Sequence, residues 1–171
     1  LSLGAGILLH IALKRAGVKN ISISYGEHGK PYLTDNEGVF FNISHSAAVV
    51  VCAVSQRPVG VDVEEERHFD ERLRNYVFSA DELSSDPDDI YCTRLWTIKE
   101  SVMKYFGTGI SLGAKSIHIS MDKEIRVICD DRDTKGLYIA EYRYGNAGIS
   151  VCSKFRRFAS APEHIDPAIW Q

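Results

Sequence analysis

The sequence predicts an α+β fold of two halves, each a small, mostly antiparallel sheet packed with helix, and three observations lead to it. Helical and strand-like patterns run in blocks (helix, strands, helices, strands) and do not alternate as βαβ units do. Three strand-like runs, FFNISHS, AVVVCAVS and VGVDVE, follow one another between residues 40 and 64 with only turn material between them. Four more, SIHIS, EIRVICD, GLYIAEYR and AGISVCSK, follow the last helical stretch. A chain of 171 residues suits one sizeable domain or two small halves. It should bury about 70% of its extended surface, so it needs no disulfide or metal to fold.

Residues 3–16 place Leu3, Ile7, Leu8, Ile11 and Ala12 on one expected helical stripe, with Lys14 and Arg15 near the C-terminus and Gly17 as the stop. ISISY reads as a short strand, and Gly26 to Pro31 has the composition of a loop. After the three strands, the charged EEERHFD run reads as a solvated connection or a helix start. Helices are expected at about 69–83 and 88–106, the second with Ile90, Leu95, Ile98 and Val102 inward and Gly107 and Gly109 ending it. The tail, with Pro162 and Pro167, reads as poorly ordered apart from its last tryptophan, Trp170. Because the chain opens at Leu1 inside what reads as a helix, with no methionine, upstream residues are expected to precede it.

Composition removes several function classes. Hydrophobic residues at 44% and charged residues at 25% are the ordinary globular mix, not that of a disordered chain. With Lys+Arg 20 against Asp+Glu 23, the chain lacks the positive excess of a general nucleic-acid binder. The apolar run from Ala47 to Val54 is far short of the ~20 residues of a membrane helix. No signal peptide opens the chain. Cys52, Cys92, Cys129 and Cys152 form no CxxC pair; they read as buried free thiols in a reducing compartment, hence a cytoplasmic protein.

Four constellations could carry chemistry. In VGVDVE, Asp62 and Glu64 are i,i+2 on a strand, so both carboxylates project from one face and Val61 and Val63 from the other. Such a pair must be relieved by a proton or a cation, and Mg²⁺ suits oxygen ligands; equally, the two could open a solvated acidic segment. WTIKESVMK brings together Lys99, Glu100 and Lys104, of which Glu100 and Lys104 are i,i+4 on a helix, with Trp96 one turn earlier on the same face. Glu100 and Lys104 form either a surface ion pair beside a core tryptophan or a metal-completing carboxylate with a phosphate-holding lysine. In FNISHS, His45 stands between Ser44 and Ser46; such a histidine donates to phosphate, acts as a base, or is satisfied by backbone. Ser44 and His45 face opposite ways on a strand, and no G-x-S-x-G elbow exists, so a nucleophilic triad is discounted. Gly29-Lys30-Pro31-Tyr32 is an ordinary turn carrying a cation, and no Walker A or G-x-G-x-x-G loop is present.

Taken in order, GKPY, FNISHS, VGVDVE, FSADE and WTIKESVMK resemble the Sfp-type 4′-phosphopantetheinyl transferases. The likeness runs from the SLGAG of the first helix to about Gly113, some two-thirds of the chain, and five blocks agreeing in order make it specific. The resemblance implies a pseudo-dimer of residues 1–57 and 58–171, with the active site in the cleft between the halves. It implies transfer of the phosphopantetheine arm of coenzyme A (CoA) to a serine of an acyl or peptidyl carrier protein, with release of adenosine 3′,5′-bisphosphate. Asp62, Glu64 and Glu100 would hold Mg²⁺. Glu100, Lys104 and His45 would act in catalysis, Glu100 as ligand or base. His28, Gly29, Lys30, Pro31, Ser44, His45 and Lys104 would contact CoA, the first four on its adenine side. Basic residues upstream of and at the start of the first helix grip the CoA 3′-phosphate in the family; here they would lie ahead of Leu1 or be lost, the latter at the expense of CoA affinity. A monomer is implied, since both cleft walls come from one chain. Two other readings use the same residues: a Mg²⁺-dependent pyrophosphate hydrolase, and a non-catalytic binder of CoA or carrier protein.

Overall fold

The computed structural model describes residues 3–35 and 38–166, so Pro167 and Trp170 lie outside the described residues. The first helix, α1 (Leu3–Arg15), is followed by Gly17 at φ +83°. Its buried side chains are Ala5, Leu9 and Leu13, whereas Leu3, expected inward, is 83% exposed and Ile7, Leu8, Ile11 and Ala12 are half-buried. The expected stripe was therefore rotated. This helix carries aliphatic residues on almost every side, so periodicity does not select a face and the sheet beneath it does.

Two short strands, β1 (Ile23–Tyr25) and β2 (Pro31–Leu33), pair antiparallel around a turn closed by the Gly26 N–H donating to the Lys30 carbonyl at 2.9 Å. The loop expected through Pro31 thus ends one residue sooner, and PYL becomes a strand because ISY offers it a partner. Next, β3 (Phe40–His45) pairs with β4 (Val50–Ser55), His45 opposite Val50. Leu9, Leu13, Val18, Leu33 and Phe41 form the core these elements share with α1.

The remaining sheets are β5 (Val59–Glu65), β9 (Ala147–Ser153) and β8 (Tyr138–Tyr144) in the order β5-β9-β8, and the hairpin β6 (Ile117–Met121) with β7 (Ile125–Cys129). Every pairing is antiparallel. The three- and four-strand runs expected from sequence are all present. Side chains join β5 to β3: Asn42 Oδ1 accepts from the Val61 N–H at 2.8 Å, and the Ser44 hydroxyl donates to Asp62 at 2.8 Å.

Helix α2 spans Glu71–Val77, not the 69–83 expected. Asp70 caps its start, and Phe78 leaves in an extended conformation so that its ring packs on Phe69 at 5.5 Å. Helix α3 (Asp89–Phe106) matches expectation, capped by Asp88 and ended by Gly107 in the left-handed conformation. Leu95, Ile98 and Val102 are fully buried, but Ile90 is 52% exposed. Five positions before Leu95, Ile90 lies about 140° round the helix from it. Among the described residues no helix is long and apolar enough to cross a membrane, and all four cysteines are free.

The α3 backbone rests directly on β5 at Gly60. A Cβ there would lie 2.1 Å from the Ser101 carbonyl oxygen and 2.3 Å from the Tyr105 nitrogen. Backbone cannot yield as a side-chain tip does, so Gly60→Ala is expected to cost about 3 kcal/mol or more. Gly148→Ala, whose Cβ would meet nothing nearer than 4.0 Å, serves as the tolerated control. Urea unfolding of the two variants checks this, and equal midpoints would contradict the packing.

Candidate active site

Alternation along β5 turns Val61 and Val63 into a cluster with Ala147 and Ile149, and turns Gly60, Asp62 and Glu64 toward α3. Only a residue without a side chain lets the helix settle at position 60. That approach brings the next two residues on the same face, Asp62 and Glu64, against the α3 side chains. Asp62 is 3% exposed. Its Oδ1 accepts from Lys104 Nζ at 2.6 Å and from the Ser44 hydroxyl at 2.8 Å, and Lys104 Nζ also reaches Ser44 Oγ at 2.7 Å. One strand from each side of the fold and one helix therefore meet at a single carboxylate oxygen. The other oxygen, Oδ2, is buried and has no hydrogen-bond partner.

Glu64 accepts from the Trp96 indole N–H at 3.0 Å. Burial, reinforced by the negative charge of Asp62, raises its carboxyl above the ordinary range. Glu100, one helical turn from both Trp96 and Lys104, is pushed up to about 7, first by burial and then by Asp62, with Glu64 adding and Lys104 and Arg67 opposing. Lys104 makes its ion pair with Asp62. The i,i+4 pair with Glu100 that the helix spacing suggested gives way to it, because the strand carboxylate is the more buried partner.

The donor set suits a hard divalent cation: three carboxylates, two of them held protonated more readily than usual, beside a buried oxygen that nothing satisfies. Among the described residues no three His, Cys, Asp or Glu side chains already stand as a closed metal-ligand group. Lys104 and Trp96 draw Asp62 and Glu64 each by one oxygen instead.

The other expected residues are spread around this centre. His45 is exposed at the end of β3, on the opposite face from Ser44. His28 and Gly29 are exposed at the tip of the β1–β2 turn. Lys30 turns inward: its Nζ donates to the Tyr105 carbonyl at 3.0 Å and the Val59 carbonyl at 3.3 Å, and burial lowers its ammonium to about 8. Its cation thus serves the end of α3. A cavity of about 460 Å³ opens beside the same turn, lined by Lys30, Pro31, Tyr32, Phe40 and Val59 among others.

Sequence reasoning singled out Trp96 and Lys99 but missed what each supports. Trp96, read as a core residue, orients Glu64. Lys99, adjacent to Glu100, is fully buried and donates to Glu82 at 2.7 Å and to the Val77 and Ala114 carbonyls. Glu82 in turn accepts from the Ser79 and Ile119 backbone N–H groups. The signal was a lysine on the apolar side of an amphipathic helix with an acid in the FSADE block to meet it.

A family model described as the 4′-phosphopantetheinyl transferase superfamily matches residues 58–152. The 4′-phosphopantetheinyl transferase Sfp of Bacillus subtilis (strain 168) is 33% identical over 154 residues, covering 85% of this chain and 67% of its own length. A 4′-phosphopantetheinyl transferase of Bacillus subtilis is 34% identical over 127 residues, 70% of this chain and 57% of that protein. The 4′-phosphopantetheinyl transferase AcpT of Salmonella typhimurium is 33% identical over 168 residues, 93% of this chain and 80% of that protein. The chain thus spans a little over half to four-fifths of the relatives it matches.

Because Glu100 binds its proton more tightly folded than unfolded, its contribution to stability is full below about pH 4.5 and is lost as pH rises through about 7. Metal-free protein is therefore expected to melt at a lower temperature at pH 8 than at pH 5.5. Glu100→Gln should flatten that dependence, and thermal unfolding of both proteins in chelator measures it. An unchanged slope in the variant would assign the pH dependence elsewhere.

Proposed function

This chain belongs to the 4′-phosphopantetheinyl transferase superfamily, and on that footing we propose that it moves the 4′-phosphopantetheine arm of CoA to a serine of an acyl or peptidyl carrier protein, releasing adenosine 3′,5′-bisphosphate. The observation that carries the proposal is the Ser44–Asp62–Lys104 junction with its unsatisfied Asp62 oxygen, beside a glutamate whose carboxyl stands near 7. Two hydrophobic clusters, one under α1 and β3 and the other around α3, support the division into halves 1–57 and 58–171, and a third, of Val61, Val63, Ala147 and Ile149 with Val49, Val51 and Ala53, joins the two. The pseudo-dimer cleft is then the seam between β3 and β5 where Ser44 meets Asp62.

Asp62, Glu64 and Glu100 are the residues that would hold Mg²⁺, which when bound neutralises pyrophosphate oxygens. In the transfer, the carrier serine Oγ forms a bond to the pantetheine-side phosphorus, and the bond from that phosphorus to the leaving bisphosphate breaks. Reactions of this kind need positioning and charge neutralisation more than covalent help. Glu100, on the α3 face turned to the junction, is suited to take the serine proton. Lys104, half-buried and already aimed at the junction, supplies positive charge for the phosphates as they enter. Ser44 offers a hydroxyl beside it, and the exposed His45 donates to a CoA phosphate from the β3 end. His28, Gly29 and Pro31 would lie on the adenine side, Pro31 lining the cavity of about 460 Å³, while Lys30 holds that turn in place. The family reading carries with it a monomer acting in the cytoplasm.

Incubated with CoA and Mg²⁺, an apo carrier protein should gain the mass of one phosphopantetheine arm, read by intact mass spectrometry. Asp62→Ala and Glu100→Gln should each slow the gain by about 100-fold or more while circular dichroism shows a folded protein. No gain across fatty-acid, polyketide and non-ribosomal peptide carriers would overturn the proposal. Release of adenosine bisphosphate from CoA at the same rate without a carrier would replace it with hydrolysis.

A further inference from the structure

Side chains join β3 to β5 at successive levels. Asn42 takes the Val61 N–H, Ser44 meets Asp62, and the turn that follows β3 meets Glu65. The last of these is the least expected, because VEEE has the composition of a strand running out into solvated acid. Glu65 is nevertheless half-buried, and it closes the β5 ladder opposite Ala147. Its Oε1 accepts from both the Ser46 hydroxyl and the Ala48 N–H, each at 3.1 Å. The turn is also closed on itself: the Ser46 N–H donates to the Val49 carbonyl at 2.8 Å, and the Val49 N–H to Ser46 Oγ at 3.3 Å. The support is fixed in its turn, since the neighbouring Glu66 pairs with Arg143 of β8.

His45 is the last residue of β3 and stands in the last rung of its ladder, opposite Val50. Terminal rungs are where a sheet opens first, so the position of this histidine depends on what holds the turn beyond it. We infer that Glu65 is a positioning residue for His45: it grips the turn after β3 from the end of β5, and so fixes where the imidazole stands relative to the carboxylate centre. The inference rests on the transfer reading, in which His45 meets a CoA phosphate. Charge and hydrogen bonding pull in opposite directions here. A carboxylate at this rim repels a phosphate, so its removal strengthens CoA binding if charge decides and weakens it if the grip on the turn decides.

Calorimetric titration of CoA in the presence of Mg²⁺, run as a double-mutant cycle, tests the inference. His45→Ala should weaken CoA binding about tenfold and Glu65→Ala about fivefold. Because the two act as a unit, adding Glu65→Ala to His45→Ala should weaken it by less than about twofold more. Glu65→Gln, which keeps the accepting oxygen and drops the charge, should stay within about twofold of the wild type. Ser46→Ala loosens the same grip from the turn side and takes the place of Glu65→Ala in the cycle if that variant fails to fold. Fully additive losses would overturn the inference, as would a Gln variant as weak as the Ala variant. Tighter binding by both Glu65 variants would leave the residue a repulsive rim charge and nothing more. A wild type that binds CoA but modifies no carrier, read by intact mass, removes the transfer reading while the cycle still decides the role of Glu65. A wild type that binds no CoA removes both.

Discussion

At Gly60 the backbone of α3 comes closer to β5 than any side chain would permit, and the rest of the site is a consequence of that approach. A strand meets a helix at a distance set by the side chains between them. Here one position contributes none, and the neighbouring Ser101 of α3 is small and fully buried. The next residues on the same strand face, Asp62 and Glu64, are thereby brought level with Lys104, Glu100 and Trp96. A wider spacing would have left room for water among these charges. Without it, Asp62 is sealed from solvent, its neighbours' proton affinities rise, and one of its oxygens is left with no partner.

Such a centre is costly to bury and must be held in one arrangement. On its other side α3 is fixed by Lys99, whose ammonium meets Glu82 and two carbonyls in the core. A buried ion pair adds little net stability, yet losing one partner costs about 3–5 kcal/mol, because a charge is stranded. That asymmetry makes it a device for rotation: any turn of α3 about its axis that moved Glu100 away from β5 would pull Lys99 from its partners. Two adjacent residues of one helix thus serve opposite walls. Lys99 locks the core side, and Glu100 faces the carboxylates.

Much of this was legible in the sequence where local chemistry and tertiary demand agree. The apolar repeat through Val102 and the stop at Gly107 delimit α3 to within a residue. The alternation in VGVDVE set Val61 and Val63 apart from Asp62 and Glu64, as the strand does. Legibility failed where a segment's surroundings decide. Apolar on most sides, α1 took its inward face from the sheet. The second strand of the first hairpin exists because ISY offers a ladder. The stretch after Val77 abandoned helix because Phe78 gained a ring contact and Glu82 a lysine. At the site, helical spacing paired Lys104 with Glu100, whereas a carboxylate 42 positions away took it instead. Contacts of that span have no local trace.

Lys30 gives this architecture a mechanical property. Its stem passes Gly107, where a Cβ would lie 3.0 Å from its Cδ, and its ammonium caps the carbonyl of Tyr105. The tip of the first hairpin is thereby bolted to the last turn of α3, one residue beyond Lys104. The turn that carries Lys30 therefore cannot move off the end of α3 without leaving the Tyr105 and Val59 carbonyls short of a donor.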